Sequence, residues 1–239
     1  MVLAGLAAYA ASEPTLMPAY NAGQTFHNNE EMIELGIVAT VAVYSVVVGI
    51  AFCHRQGVEF TPPSRSATFW ENFLVMVGML DNLHYETLRR TASLAADHEL
   101  SNSTFALLVT ASSLADPVSC LMSAICSAYG PLHMGACESA YKTMQRAGGP
   151  HNAQAIIDAA KTSGGRLFGY GHRIYRVEDP RIRPIKACLE ELLVAAPERN
   201  LALETAIEIE RLAGQDEYFL SRNLHANADM YCIFFGIVL

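Results

Sequence analysis

Residues 116–140 read DPVSCLMSAICSAYGPLHMGACESA, and this stretch sets the fold class. Asp116 before Pro117 is a helix opening: the aspartate caps free N–H groups, and a proline in the first turn removes no needed donor. Leu121, Met122, Ile125 and Cys126 then recur at helical spacing until Gly130-Pro131 stops the run. Beyond the stop, His133 sits in a turn that opens the next helix. The same grammar extends outward. Upstream, residues 30–54 read as one long helix ending before Gly57. Pro62-Pro63 and the serines after them read as a loop, and Thr68 opens a helix with Glu71 placed to complete a capping box. Downstream, Gly148-Gly149-Pro150 breaks the chain, and 152–162 is a short amphipathic helix closed by Gly164-Gly165. Asp179-Pro180 starts a helix through about Val194, Pro197 breaks it, and 198–213 is helical again. No segment alternates with period two for long and no repeat is evident, so the sequence predicts an all-α fold with more than one layer of helices.

With 239 residues, 51% hydrophobic and 17% charged, the chain can bury a sizeable core and is not intrinsically disordered. Sixteen basic against 24 acidic residues give a net charge of −8, the wrong sign for a general nucleic-acid binder. Six scattered cysteines (Cys53, Cys120, Cys126, Cys137, Cys188, Cys232) form neither a disulfide framework nor a metal-binding spacing. Reduced thiols in an intracellular compartment fit them, with the cytoplasm and the mitochondrial matrix both open. The basic residues are uneven. None precedes Arg55, yet Arg166, Arg173, Arg176, Arg181, Arg183 and Lys186 share one short stretch. Guanidinium groups grip carboxylates and phosphates bidentately, so this cluster reads either as a site for a small polyanion or as a solvated helix face. The apolar start, Met1 to Ala11, lacks the positive region of a secretory signal. Leu35 to Cys53 is uncharged and long enough to span a bilayer. It is rich in Ala, Val, Thr, Ser and Gly, and the expectation is a central helix buried on all sides rather than a membrane segment.

Four polar segments stand out: DHELSNSTFA from Asp97, GPLHMGACESA from Gly130, FGYGHRIYRVEDPR from Phe168, and NADMY from Asn227. Singly, each has a plain structural explanation, since a histidine in a turn is more often structural and an aspartate before an apolar run is usually a cap. Together and in this order they resemble the citrate synthase family, from about Leu16 to the C-terminus and most strongly over 97–140 and 166–186. The resemblance implies a large helical domain with a smaller helical domain inserted: 1–133 large, 134–225 small, and 226–239 returning to the large domain. It implies a homodimer acting on an acyl-CoA and oxaloacetate, with coenzyme A as co-substrate, no metal or other cofactor, and no nucleic-acid or membrane partner. By motif position Asp229 would be the base that takes the acyl α-proton. His133 would hydrogen-bond the thioester oxygen, and His172 would polarise the oxaloacetate carbonyl. His98 and Arg181 would hold the dicarboxylate. Arg176 would meet coenzyme A phosphate, and the backbone from Arg166 through Leu167 and Gly169 to Gly171 would line the adenine site.

Two departures qualify the resemblance. The family pattern GPLHGGAN is here GPLHMGAC, with Met134 and Cys137, and NVDFYSG is here NADMYCIFFG. One reading is a reshaped acyl pocket, as in fungal alkylcitrate or 2-methylcitrate synthases; the other is drift in a paralogue. The resemblance also implies a chain shortened at both ends, since only ten residues follow Asp229. The expectation is an acyl-CoA/oxaloacetate condensing enzyme, possible in secondary metabolism, with a catalytically impaired structural or regulatory subunit as the alternative.

Overall fold

The computed structural model describes residues 1–13, 30–96, 99–162, 166–195 and 199–234. Among these residues the chain is helical without strands, its sole bridge pairing Tyr170 with Ala226. It divides into two compact units, residues 1–129 and 130–239.

The first unit holds α1 (Val2–Ser12), α2 (Glu30–Gln56), α3 (Phe69–Met76), α4 (Asn82–Ala95), α5 (Asn102–Ala111) and α6 (Pro117–Ala128). Its signals are local ones. Thr68 and Glu71 form the expected capping box at the start of α3, and Asp116 accepts from the Ser119 amide to open α6 ahead of Pro117. Leu6, Ala10 and Val118 are buried together, with Tyr9, Ile33, Val43, Leu121 and Ile125 packed around them. Apolar burial of this kind is worth about 25 cal/mol per Å2 removed from water. Gly5 permits the approach of α1 to α2: a Cβ there would lie 2.7 Å from Val47 Cγ1.

Helix α2 departs from expectation. Its buried residues are the small ones, Gly36, Thr40, Ser45, Gly49 and Cys53. Leu35 and Val38 are 63% and 66% exposed, and Ile37, Val41 and Ile50 are exposed as well. The helix is therefore not buried on all sides in this chain. The small residues let α1, α3 and α6 come close on one face, and the large apolar side chains occupy the other. By length and composition alone α2 could cross a membrane, yet Glu30, Glu31 and Glu34 lie in its first turns.

The second unit contains α7 (Gly135–Ala147), α8 (Ala153–Thr162), α9 (Ile182–Ala195), α10 (Leu201–Ala213) and α11 (Glu217–Leu220). Among the described residues three 3-10 turns accompany them, Pro150–Asn152, Ala228–Met230 and Cys232–Phe234. Gly148, at φ +71°, ends α7 in the left-handed conformation, where a side chain would be strained. Helix α10 buries Ala202, Leu203, Ala206, Ile209 and Ala213 and packs on α7 and α8. Met144, Ile157, Ile182, Ile185, Met230, Tyr231 and Phe234 complete a fully buried core. Residues 226–234 pack within this unit, against α7 and Gly169. Glu210 pins them from α10: its carboxylate takes the Lys186 ammonium at 2.8 Å and the Tyr231 hydroxyl.

Candidate active site

The site of the second unit is built from three segments. The first is the turn 130–134, closed by bonds from the His133 and Gly135 amides to the Gly130 carbonyl at 2.9 and 3.2 Å. It places His133 immediately before α7, whose first turn carries Cys137. The second is the loop 166–181. Gly169 and Gly171 both have positive φ, +86° and +75°, and a Cβ at Gly169 would lie 3.0 Å from the Met230 Cα. Only glycine accepts both the backbone angle and the close approach. The third is 224–234, laced to that loop. Gly171 N–H donates to the His225 carbonyl (2.8 Å), Asn227 N–H to the Gly169 carbonyl (2.9 Å), and the Asn227 amide to the Gly171 carbonyl (2.5 Å). Tyr170 anchors the loop from the other side through its hydroxyl to the Glu210 carbonyl.

This lacing brings His172, Arg181 and Asp229 together. His172 Nδ1 accepts from the amides of Ile174 and Tyr175, each at 3.2 Å, and its ring stacks on Tyr175 with centroids 4.6 Å apart. A nitrogen that accepts two backbone donors carries no proton, so the pattern assigns the neutral ring its proton on Nε2. Asp229 is capped by Asn227, whose side chain accepts from the Asp229 amide. Burial raises the Asp229 carboxyl above the ordinary aspartate range. The Cys137 S–H, 3.4 Å from Oδ1, and the nearby Arg181 charge oppose that rise.

Arg181 is held by Asp179 in a fork: Nε to Oδ1 at 2.9 Å and Nη2 to Oδ2 at 2.7 Å. Asp179 is 1% exposed, and it also accepts the Arg181 amide and the Ala228 amide, both at 3.0 Å. Burial pushes its carboxyl up, but these donors outweigh burial and hold it below its usual value. Among the described residues, Arg181 Nη1 is left for a further acceptor. Asp179 was read from sequence only as a helix opener, so its role in orienting Arg181 and fixing the segment that carries Asp229 went unseen.

Other expected residues are arranged differently. His98 lies outside the described residues. Arg166 and Arg176 are exposed and form no ion pair among the described residues. The stretch from His172 to Arg181 is irregular chain rather than helix, and α9 opens at Ile182. The arginine cluster is thus not one solvated helix face: Arg181 is engaged in the site and Arg183 pairs with Glu178 at 2.9 Å. Leu167 is buried, and Arg166, Leu167 and Phe168 border a cavity of about 280 Å3 against Thr143, Met144 and Ile156.

Residues 1–236 match the family described as citrate synthase, C-terminal domain. The chain belongs to the citrate synthase family. It is 41% identical to the alkylcitrate synthase phiJ of a fungal species over 98% of this chain and 52% of that one. It is 43% identical to the citrate synthase-like protein oryE of Aspergillus oryzae, over 98% and 54%. Among solved structures it resembles the citrate synthase of Thermoplasma acidophilum in its ternary complex with carboxymethyl coenzyme A and oxaloacetate, at 25% identity. That match has a TM-score of 0.81 and covers 99% of this chain and 60% of the other. The chain spans about half the length of the curated relatives it matches.

Proposed function

We propose that the protein condenses an acyl-CoA, acetyl or longer, with oxaloacetate and releases coenzyme A, as part of fungal secondary metabolism. The observation that carries this reading is the proximity of a half-buried carboxyl, Asp229, to a neutral imidazole, His172, whose Nε2–H is fixed by two backbone donors to Nδ1. Asp229 takes the acyl α-proton; a carboxyl raised above its usual value is better matched to a weak carbon acid. His133 donates to the thioester oxygen as the enol forms. His172 Nε2–H polarises the keto carbonyl of oxaloacetate, and the new C–C bond places the developing alkoxide against that donor. Arg181, oriented by Asp179, holds a substrate carboxylate through Nη1, with His98 as its companion. Water then cleaves the thioester to give citrate or an alkylcitrate and free coenzyme A. The exposed Arg166 and Arg176 suit coenzyme A phosphates, since among the described residues no ion pair has to be broken to recruit either guanidinium.

The exposed apolar face of α2 belongs, in this reading, against the remainder of a full-length protein or a partner subunit in a homodimer. Three glutamates in its first turns disfavour lipid there. The test is thioester loss by the full-length protein with oxaloacetate and acyl-CoAs of increasing length. Turnover that depends on oxaloacetate supports the proposal, and thioester loss indifferent to oxaloacetate refutes it.

A further inference from the structure

We propose that Cys137 and Cys232 form a reversible dithiol–disulfide site that governs Asp229. The proposal rests on the reading of Asp229 as the catalytic base, and on three geometric facts. Asp229 and Cys232 lie three residues apart on two 3-10 turns joined through Tyr231, and both turns pack one face on α7. That face meets α7: Cys137 in its first turn reaches Asp229 Oδ1 at 3.4 Å, and Tyr141, one turn further, packs its ring edge-on to Phe234 at 5.8 Å. These two contacts and the packing of both turns on α7 place Cys232, between Asp229 and Phe234 in sequence, as a close neighbour of Cys137. Both positions are departures from the family pattern, in which asparagine and serine stand where this chain has the two cysteines. Together they create a vicinal pair of thiols beside the base.

The Cys137 proton has two acceptors, Asp229 and Cys232, and can serve one at a time. Donation from Cys137, and the nearby Arg181 charge, lower the Cys232 thiol, whereas Cys137 itself is pushed up. Cys232 is therefore the nucleophile toward a peroxide. Its thiolate attacks one oxygen of hydrogen peroxide, the O–O bond breaks, and hydroxide leaves and is protonated to water. Cys137 then attacks the sulfenic sulfur: the S–S bond forms, the S–O bond breaks, and a second water leaves with the Cys137 proton. Two thiols are oxidised and one peroxide is reduced to two waters. A reducing dithiol reverses the step by exchange. In the disulfide Asp229 has lost its S–H donor, and the turns that carry it are drawn toward α7.

The experiment exposes reduced full-length protein to hydrogen peroxide, removes the peroxide, and maps non-reduced peptides by mass spectrometry. A cross-linked peptide joining Cys137 to Cys232, lighter by two hydrogens, is expected; dithiothreitol abolishes it, and Cys232→Ser never forms it. Thioester loss with oxaloacetate, followed in parallel, falls on the order of 100-fold on oxidation, as for a misplaced catalytic group, and returns with dithiothreitol. Cys232→Ser retains its turnover through peroxide. Absence of the cross-link, or pairing with Cys53, Cys120, Cys126 or Cys188 instead, overturns the site. A cross-link that leaves turnover unchanged overturns its control of Asp229. If reduced protein turns over no thioester at all, the condensation reading fails, and the peptide map still decides the dithiol on its own.

Discussion

Asp179→Asn is the perturbation that most sharply tests how the site is held. Each oxygen of Asp179 accepts two donors: Oδ1 takes the Arg181 amide and Nε, and Oδ2 takes Arg181 Nη2 and the Ala228 amide. Asparagine keeps one oxygen and turns the other into an NH2 facing two donors. Two contacts are lost and replaced by donor–donor opposition in a group that is 1% exposed. Breaking a buried pair from one side costs about 3–5 kcal/mol. Arg181 is 20% exposed, so solvent recovers part of this and the lower end, about 3 kcal/mol, is expected. The Asp179 carboxyl is depressed in the folded state, so its contribution is fully present above the unfolded aspartate value of about 3.9 and is lost as pH falls through the folded value. Urea unfolding followed by circular dichroism at neutral and acidic pH measures it. The expected result is a deficit of about 3 kcal/mol at neutral pH that narrows on acidification, with faster hydrogen exchange at Ala228. A deficit below about 0.5 kcal/mol, the range of ordinary surface substitutions, or one independent of pH, refutes the reasoning.

Further expectations follow from other contacts. Gly169→Ala must carry a side chain at φ +86° against the Met230 backbone; it is expected to lower the unfolding free energy in urea by more than the roughly 1–2 kcal/mol of the backbone angle alone, with turnover lost as well. Cys137→Ala removes a donor that favours the Asp229 carboxylate, so the acidic limb of the kcat/KM profile moves to higher pH, whereas Cys137→Ser, which keeps a donor, moves it less. Thr68→Ala removes half of a capping box on α3 and costs about 1 kcal/mol in thermal unfolding without changing substrate binding.

What was legible in the sequence was local. The Thr68 capping box, the Asp116-Pro117 opening and the Gly148 stop each depend on a few neighbouring residues, and each is present. The helices of the second unit follow from apolar spacing in the same way. The burial of α2 was misread because hydropathy gives the character of a side chain and not the identity of the neighbour that covers it. The usable signal was the series Gly36, Thr40, Ser45, Gly49 and Cys53, small residues at roughly one-turn intervals that mark the packed face. In the candidate site, the motifs single out His172 and Asp229, which the fold places near one another, and the lacing of Gly169–Gly171 onto Ala226–Asn227 explains why that loop needs its glycines. Asp179 was missed because its decisive partner, the Ala228 amide, is 49 residues away. The thiol pair was half visible, since Cys137 stood out as a departure while Cys232 meets it only through the packing of the 3-10 turns on α7.

The most direct measurement is oxaloacetate-dependent thioester loss by full-length wild type and by Asp229→Asn, at the acyl chain length that wild type prefers. Removal of the base is expected to lower kcat by about 10²–10⁴-fold, with oxaloacetate binding, measured by calorimetry, little changed. Wild-type rates in Asp229→Asn would contradict the assignment of this carboxyl as the base and, with it, the proposed site.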